Sequence, residues 1–206
     1  MAGGTKRLPR AVREQQMLDA AVKVFAANGF SDASMDAIAA QAQISKPMLY
    51  LYYGSKDELF SACLAREAAK FIDAMSVGFN PALRQRDQTR TVVREFLRYV
   101  HENADSWRVL YRVATGTASF SDLVDQSRSR VIEMVAELIK QGTTVEGATD
   151  VDFELTAVAL VGAGEAVGDR ISDGDISVAT APDLLVGLTW RGLRGVGVHD
   201  YASAEA

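Results

Sequence analysis

Ser34-Met35-Asp36-Ala37-Ile38-Ala39-Ala40-Gln41-Ala42-Gln43-Ile44-Ser45-Lys46-Pro47-Met48-Leu49-Tyr50-Leu51-Tyr52-Tyr53-Gly54-Ser55-Lys56-Asp57-Glu58-Leu59 reads as two short helices around a tight turn, followed by the start of a third. Ser34 stands where a short oxygen-bearing side chain caps a helix N-terminus. Behind it Met35, Ile38, Ala39 and Ala42 recur at helical spacing and face inward. Ser45 takes the same capping position for the next helix, where Pro47 is tolerated in the first turn. Ser55-Lys56-Asp57-Glu58 has the form of a capping box and opens a longer helix towards Met75. Two short helices joined this way form a helix-turn-helix, whose second helix fits the major groove of DNA. The pattern predicts a reader of DNA sequence and leaves the remainder of the chain to be explained as its control.

Working outward, Leu18, Ala21, Val22 and Phe25 form one apolar face of a helix over about 11–28, with Asn28-Gly29 as its stop. Met1 to Pro9 is Gly-rich and basic, equally readable as a solvated tail or as an arm touching DNA phosphates. Beyond Asn80-Pro81 every periodic stretch has helical period: about 83–103, 105–115, 120–141, 152–172 and 180–197, with breakers at Thr115-Gly116-Thr117, Gly142, Gly147, Gly174 and Pro182. No stretch alternates as a strand does. The expected fold is all-α, with a DNA-binding domain over 1–54 and a larger helical domain over 55–206.

A chain of 206 residues with 48% hydrophobic and 24% charged side chains suits a folded protein with a sizeable core. No apolar run of about 18 residues occurs, so no transmembrane helix is expected. Met1 to Arg13 has no apolar segment of the secretory kind. Cys63, alone of its kind, cannot make an internal disulfide; it fits a reducing cytoplasm and a small buried apolar role. The net charge of −5 is unevenly spread, because residues 1–66 hold eight basic against six acidic side chains and the remainder is acidic. A mildly basic head on an acidic body is compatible with a phosphate backbone as partner.

Over residues 17–59 the chain resembles the TetR family of bacterial transcriptional regulators. The likeness is carried without gaps by Leu18, Ala20, Ala21, Phe25, Gly29, Phe30, Ser34, Ile38, Ala39, Ala42, Ile44, Ser45, Lys46, Pro47, Leu49, Tyr50, Tyr52, Ser55, Lys56 and Leu59. It implies a double-stranded DNA operator as partner, bound by Ser34, Ser45, Lys46, Pro47, Met48, Tyr50, Leu51, Tyr52 and Lys56. Ser34 and Lys56 would meet phosphates at helix N-termini, and Lys46 and Met48 would read the groove. Two positions depart from the family pattern. Gln43 stands where a turn glycine is usual, and Leu51 replaces a polar or aromatic residue on the recognition helix, suggesting contact with a thymine methyl.

The resemblance also implies a homodimer and a small hydrophobic effector. Residues 157–168 are almost all small or apolar and contain three glycines, each costing about 1 kcal/mol in a helix interior. Close approach of helices across an interface would offset that. Ala159, Gly164, Val167, Leu184 and Leu188 are the expected dimer contacts, with Trp190, Leu193 and Val196 continuing the last helix. Phe71, Met75, Phe96, Tyr99, Trp107, Leu110, Tyr111 and Met134 are the expected lining of an apolar effector chamber, whose volume should exceed about 300 Å³. Leu8-Pro9-Arg10, Ser106 to Arg112 and Trp190 to Leu193 are similar to actinobacterial regulators of fatty-acid synthesis, which implies an acyl-chain effector and an activator as an alternative to a repressor. No cofactor or metal is expected. His101 and His199 lack catalytic or metal-binding spacing, and Asp173-Gly174-Asp175 reads as a solvated loop, so an enzyme is the weaker reading. A helical binding protein without operator contact is the other alternative, and it would be marked by loss of Lys46, Tyr50 and Lys56, all of which are present.

Overall fold

A computed structural model describes residues 9–77, 82–142, 149–179 and 181–187. Among them every regular element is a helix. α1 (Arg10–Asp32) breaks its helical geometry at Gly29, whose φ of +74° needs a residue without Cβ, so the expected stop appears as a kink. Its buried face is Met17, Leu18, Ala21, Val22 and Phe25. α2 (Met35–Gln41) and α3 (Lys46–Tyr52) are the helix-turn-helix pair. Ser34 Oγ accepts from the Ala37 amide at 3.1 Å, whereas the Ser45 hydroxyl makes no capping bond. Gln43 sits in the turn with φ +55°, a left-handed conformation that costs a residue with a Cβ about 1–2 kcal/mol. Gln16 of α1 braces that turn by donating to the Ala42 carbonyl at 2.8 Å.

α4 (Lys56–Val77) starts at Ser55, whose hydroxyl accepts from the Glu58 amide at 3.0 Å. Glu58 reaches back to the Gly54 amide at 3.1 Å, one residue short of a full capping box. Leu59, Phe60, Cys63 and Leu64 bury their side chains against α1. Burial pushes the Cys63 thiol pKa up to about 12, so it behaves as a small apolar group. Phe60 joins Phe25 and Phe30 of the head to Phe120 of the body, with ring centroids 4.8 Å from Phe25 and 4.7 Å from Phe120. The head and the body therefore share one core.

α5 (Gln85–Glu102) leads to α6 (Ala104–Arg108), which runs into a π-helical turn at Val109–Val113. A short 3-10 turn at Ala118–Phe120 precedes α7 (Ser121–Gly142) and then α8 (Asp150–Ser172). Thr149 and Asp152 form a reciprocal capping box at the start of α8, and the bond from Thr149 holds the Asp152 carboxyl below its usual pKa. The expected last helix is present over 181–187; Leu188, Trp190, Leu193 and Val196 lie outside the described residues.

α8 is apolar on two faces. Ala157, Val161, Gly168 and Ile171 point into the body, and a Cβ on Gly168 would stand 2.7 Å from Trp107 Cζ2. The glycine lets the two helices approach closely enough to seat the indole. In an open helix, Gly→Ala gains about 1 kcal/mol. At Gly168 a Cβ would push the rigid indole off its stack with Tyr111 and its bond to Asp169, and overpacking costs about 1–3 kcal/mol. Gly168→Ala is therefore expected to lower the thermal midpoint and to change Trp107 fluorescence; a raised midpoint would contradict this packing.

Candidate nucleic-acid interface and ligand chamber

α3 turns its inner face into the head through Leu49, which is fully buried, while Tyr50 is 43% and Leu51 83% exposed. Lys46 is exposed and forms an ion pair with Asp36 at 2.8 Å, which holds its ammonium pKa above the usual value. Such an exposed pair contributes little to stability and is readily exchanged for another anion. Ser34, Ser45 and Pro47 are also exposed at the starts of α2 and α3. Met48 and Tyr52 are half-buried. Arg13 donates to Met48 Sδ at 3.0 Å, and the Arg10 guanidinium lies 5.5 Å from the centre of the Tyr52 ring. Arg10 and Arg13 thus join the α3 surface, which the local motif alone does not reveal because they are more than 30 residues upstream in the chain.

Lys56, expected at a phosphate, has partners within its own chain. Its ammonium donates to the carbonyls of Phe30, Ser31 and Ala33 at 2.8, 3.1 and 3.1 Å and lies 4.6 Å from the centre of the Phe30 ring. Three donors meet three acceptors where α1 ends, so the side chain closes the carbonyl end of a helix and cannot reach a phosphate without giving up a bond.

In the body, Phe71, Met75, Phe96, Trp107, Tyr111 and Met134 do come together around one apolar chamber, with Val131, Val161, Gly164, Glu165 and Leu185 completing much of its wall. Its volume is about 150 Å³, half of the size expected from sequence. Trp107 stacks on Tyr111 with centroids 4.0 Å apart and meets Phe71 and Phe96 edge-on at 6.0 and 5.6 Å. Trp107 is fully buried, and its Nε1–H donates to Asp169 at 2.9 Å. Tyr111 spans two spaces, because it also borders a groove of about 270 Å³ between α4 and α7.

Two expected lining residues lie elsewhere. Leu110 borders the α4–α7 groove instead of the chamber. Tyr99 is buried against Phe71, outside the chamber, and its hydroxyl has no hydrogen-bond partner among the described residues. Burial, then Glu67, raises the Tyr99 pKa. The extra residue of the π turn rotates the positions after Trp107, which helical spacing alone does not foresee.

The expected dimer residues divide. Ala159 and Leu184 are exposed, and Val151, Leu155 and Val158 of α8 are likewise large apolar groups open to solvent. Gly164 instead faces its own chain, where a Cβ would lie 3.5 Å from Phe96 Cε1, and Val167 packs on the protomer's own core. A helix of small residues packs tightly on either side, so composition does not say which side is internal.

One cluster escaped sequence reading. Glu67 of α4 is only 1% exposed and accepts from Ser106 Oγ at 2.7 Å, from Arg66 at 2.6 Å and from Lys70 at 3.2 Å. Arg66 in turn pairs with Asp19 of α1 at 2.7 Å. The acidic residues after α8 are also engaged: Asp173 pairs with Arg112 at 2.7 Å and Asp175 with Arg170 at 3.0 Å. Among the described residues no group of acids, histidines and cysteines is arranged to hold a metal, and no helix is long and apolar enough to cross a membrane.

Residues 17–63 match the family profile described as "Bacterial regulatory proteins, tetR family", and residues 85–192 match "Tetracyclin repressor-like, C-terminal domain". The chain belongs to the TetR family. A TetR-like transcriptional regulator from Rhodococcus sp. RHA1 is 56% identical and superposes with a TM-score of 0.81 over 92% of this chain and all of that one. The transcriptional repressor SCO4008 of Streptomyces coelicolor is 30% identical over 81% of this chain and 92% of its own length. The transcriptional activator FasR of Mycolicibacterium smegmatis is 31% identical over 75% of this chain, a match that spans 64% of FasR. TetR-family members are transcriptional regulators with a helix-turn-helix head, and the all-helical architecture described above is theirs.

Lys56→Met is expected to destabilise the TetR head by about 2 kcal/mol, since each hydrogen bond from a charged donor contributes about 1.5–3 kcal/mol when well made and these are partly exposed. Lys46→Ala should change stability by less than about 0.5 kcal/mol. Equal denaturation midpoints for the two variants would contradict the structural role of Lys56.

Proposed function

We propose that this chain is a homodimeric repressor that binds a palindromic operator and whose DNA affinity is set by a small hydrophobic effector. Residues 1–54 form the DNA-binding unit and 55–206 the effector and dimerisation unit. The observation that carries the reading is α3, which offers Lys46, Tyr50 and Leu51 to solvent from a head whose core is closed behind them. An isolated folding unit gains nothing from an 83% exposed leucine beside an exposed tyrosine, whereas a groove-reading helix uses both, against a thymine methyl and a base edge or phosphate. The second support is the outward stripe of α8, Val151, Leu155, Val158 and Ala159, with Leu184 also exposed on the last described helix. Pairing this stripe with its copy buries apolar surface and sets two recognition helices about 34 Å apart, one turn of DNA.

Coupling follows from the packing of α4. Trp107 lines the chamber, and its neighbour Ser106 donates to the buried Glu67 of α4. Arg66 then ties that carboxylate to Asp19 of α1. Losing the Ser106 bond leaves one oxygen of a buried carboxylate unsatisfied, which is costly, so a shift of α6 favours a matching shift of α4 and the head. An effector shifts DNA affinity by the difference in its own affinity for the two arrangements.

The test is retention of genomic fragments at several salt concentrations. Wild-type protein should bind a palindromic site with affinity falling steeply as salt rises, and a Lys46→Ala/Tyr50→Ala variant should lose about 1–3 kcal/mol per lost base contact. Equal retention by both proteins would sink operator reading through α3.

Light scattering checks the dimer separately. Wild-type protein should be dimeric at micromolar concentration, and Val158→Glu should yield monomers, because burying an unpaired carboxylate costs several kcal/mol. A monomeric wild type would overturn the dimer reading.

A further inference from the structure

We infer that the effector of this chain carries a positive charge: the chamber is built for a compact arylalkyl amine, its ring among Phe71, Phe96, Trp107 and Tyr111 and its ammonium on the Glu165 carboxylate. The inference rests on the reading of the chamber as an effector site. Glu165 stands on α8 in the chamber wall. Its Oε2 accepts from Arg128 Nη2 at 2.8 Å, while its Oε1 is buried without a hydrogen-bond partner among the described residues. Buried carboxylate oxygens are rarely left this way, because the lost hydration is not replaced. Burial is the main cause of the raised pKa of Glu165, ahead of the opposing effect of Arg128. An N–H donor from a bound ligand supplies the missing bond, and a cationic donor adds its charge to that of Arg128 on the other oxygen.

Arg128 does not offer the opposite preference to the chamber. It borders the separate groove between α4 and α7, and its side chain is 44% exposed. A ligand in the chamber therefore meets the carboxylate first. The remaining wall is apolar and aromatic, and the faces of stacked indole and phenol rings attract cations. An anionic head group would be desolvated beside a carboxylate in a low-dielectric space, which is repulsive. Size gives the second preference. About 150 Å³ is the volume of an engineered protein cavity that accepts one benzene molecule, so a single ring with a short arm fills the chamber without displacing its walls.

Titration calorimetry on the full-length dimer uses three probes of one shape: phenethylamine (a cation at neutral pH), propylbenzene (neutral) and 3-phenylpropanoate (an anion). Octanoyl-CoA is the acyl comparison. Phenethylamine is expected to bind at least about tenfold more tightly than propylbenzene, a difference of roughly 1.4 kcal/mol, with the anion weakest. In Glu165→Gln the preference for the amine over propylbenzene should vanish. Binding of 3-phenylpropanoate or octanoyl-CoA as tight as that of the amine overturns the inference. So does an amine preference that survives in Glu165→Gln. If that variant fails to fold, the three probes on wild-type protein decide alone. The same samples are assayed for retention of genomic DNA: DNA bound without amine preference sinks only the ligand class, and amine preference without DNA binding supports the ligand class while sinking the operator reading.

Discussion

The body of this protein is organised around the burial of one indole. Trp107 has no exposed surface, its N–H is bonded to Asp169, and one edge lies where the Cβ of residue 168 would be. The absence of that Cβ brings α6 and α8 together, and this approach sets the position of everything beside it. Tyr111 stacks on the indole, Phe71 and Phe96 close around it, and the remaining space is the chamber. The glycine that makes α8 intrinsically weaker as a helix thus makes it stronger as a packing surface.

The same helix faces two ways. Its inner residues complete a core shared with α5, α6 and α7, while Leu155, at 63% exposure, and its neighbours face solvent. Surface of this kind is costly for an isolated protomer and is stabilising once covered by a copy of itself. The chamber wall and the exposed apolar stripe are therefore opposite sides of one element. Gly164, which meets Phe96, and Gly162, which has open space at its missing Cβ, stand only two residues apart on those two sides.

Head and body are joined by two different kinds of contact. The Phe25, Phe30, Phe60 and Phe120 cluster is non-directional and tolerates small shifts. The Ser106–Glu67–Arg66–Asp19 chain is directional and charged, and breaking its Ser106 end leaves a 1% exposed carboxylate short of one hydrogen bond while Arg66 and Lys70 stay with it on α4. An arrangement that slides at one contact and locks at the other is suited to two discrete states rather than a continuum.

What the sequence by itself determined is everything of short range. Periodicity and caps placed the helix-turn-helix, the N-cap at Ser34 and the break at Gly29, and the gapless pattern over 17–59 carried the family, because these depend on neighbours within one or two turns. Tertiary structure decided the rest. Lys56 was free, as far as local sequence shows, to meet a phosphate; it closes the end of α1 because folding brings carbonyls from 23 to 26 residues away within reach. Leu110, which falls inside the π turn, borders the α4–α7 groove, and Tyr99 is buried against Phe71 outside the chamber, because which side of a helix meets the chamber is set by the packing of the other helices. Gly164 and Val167 look like interface residues by composition and face inward because Phe96 and the core occupy that side. Glu67 and Glu165 have no sequence signature at all: a buried acid differs from a surface one only in what the other helices bring to it, and that is a property of the packed fold.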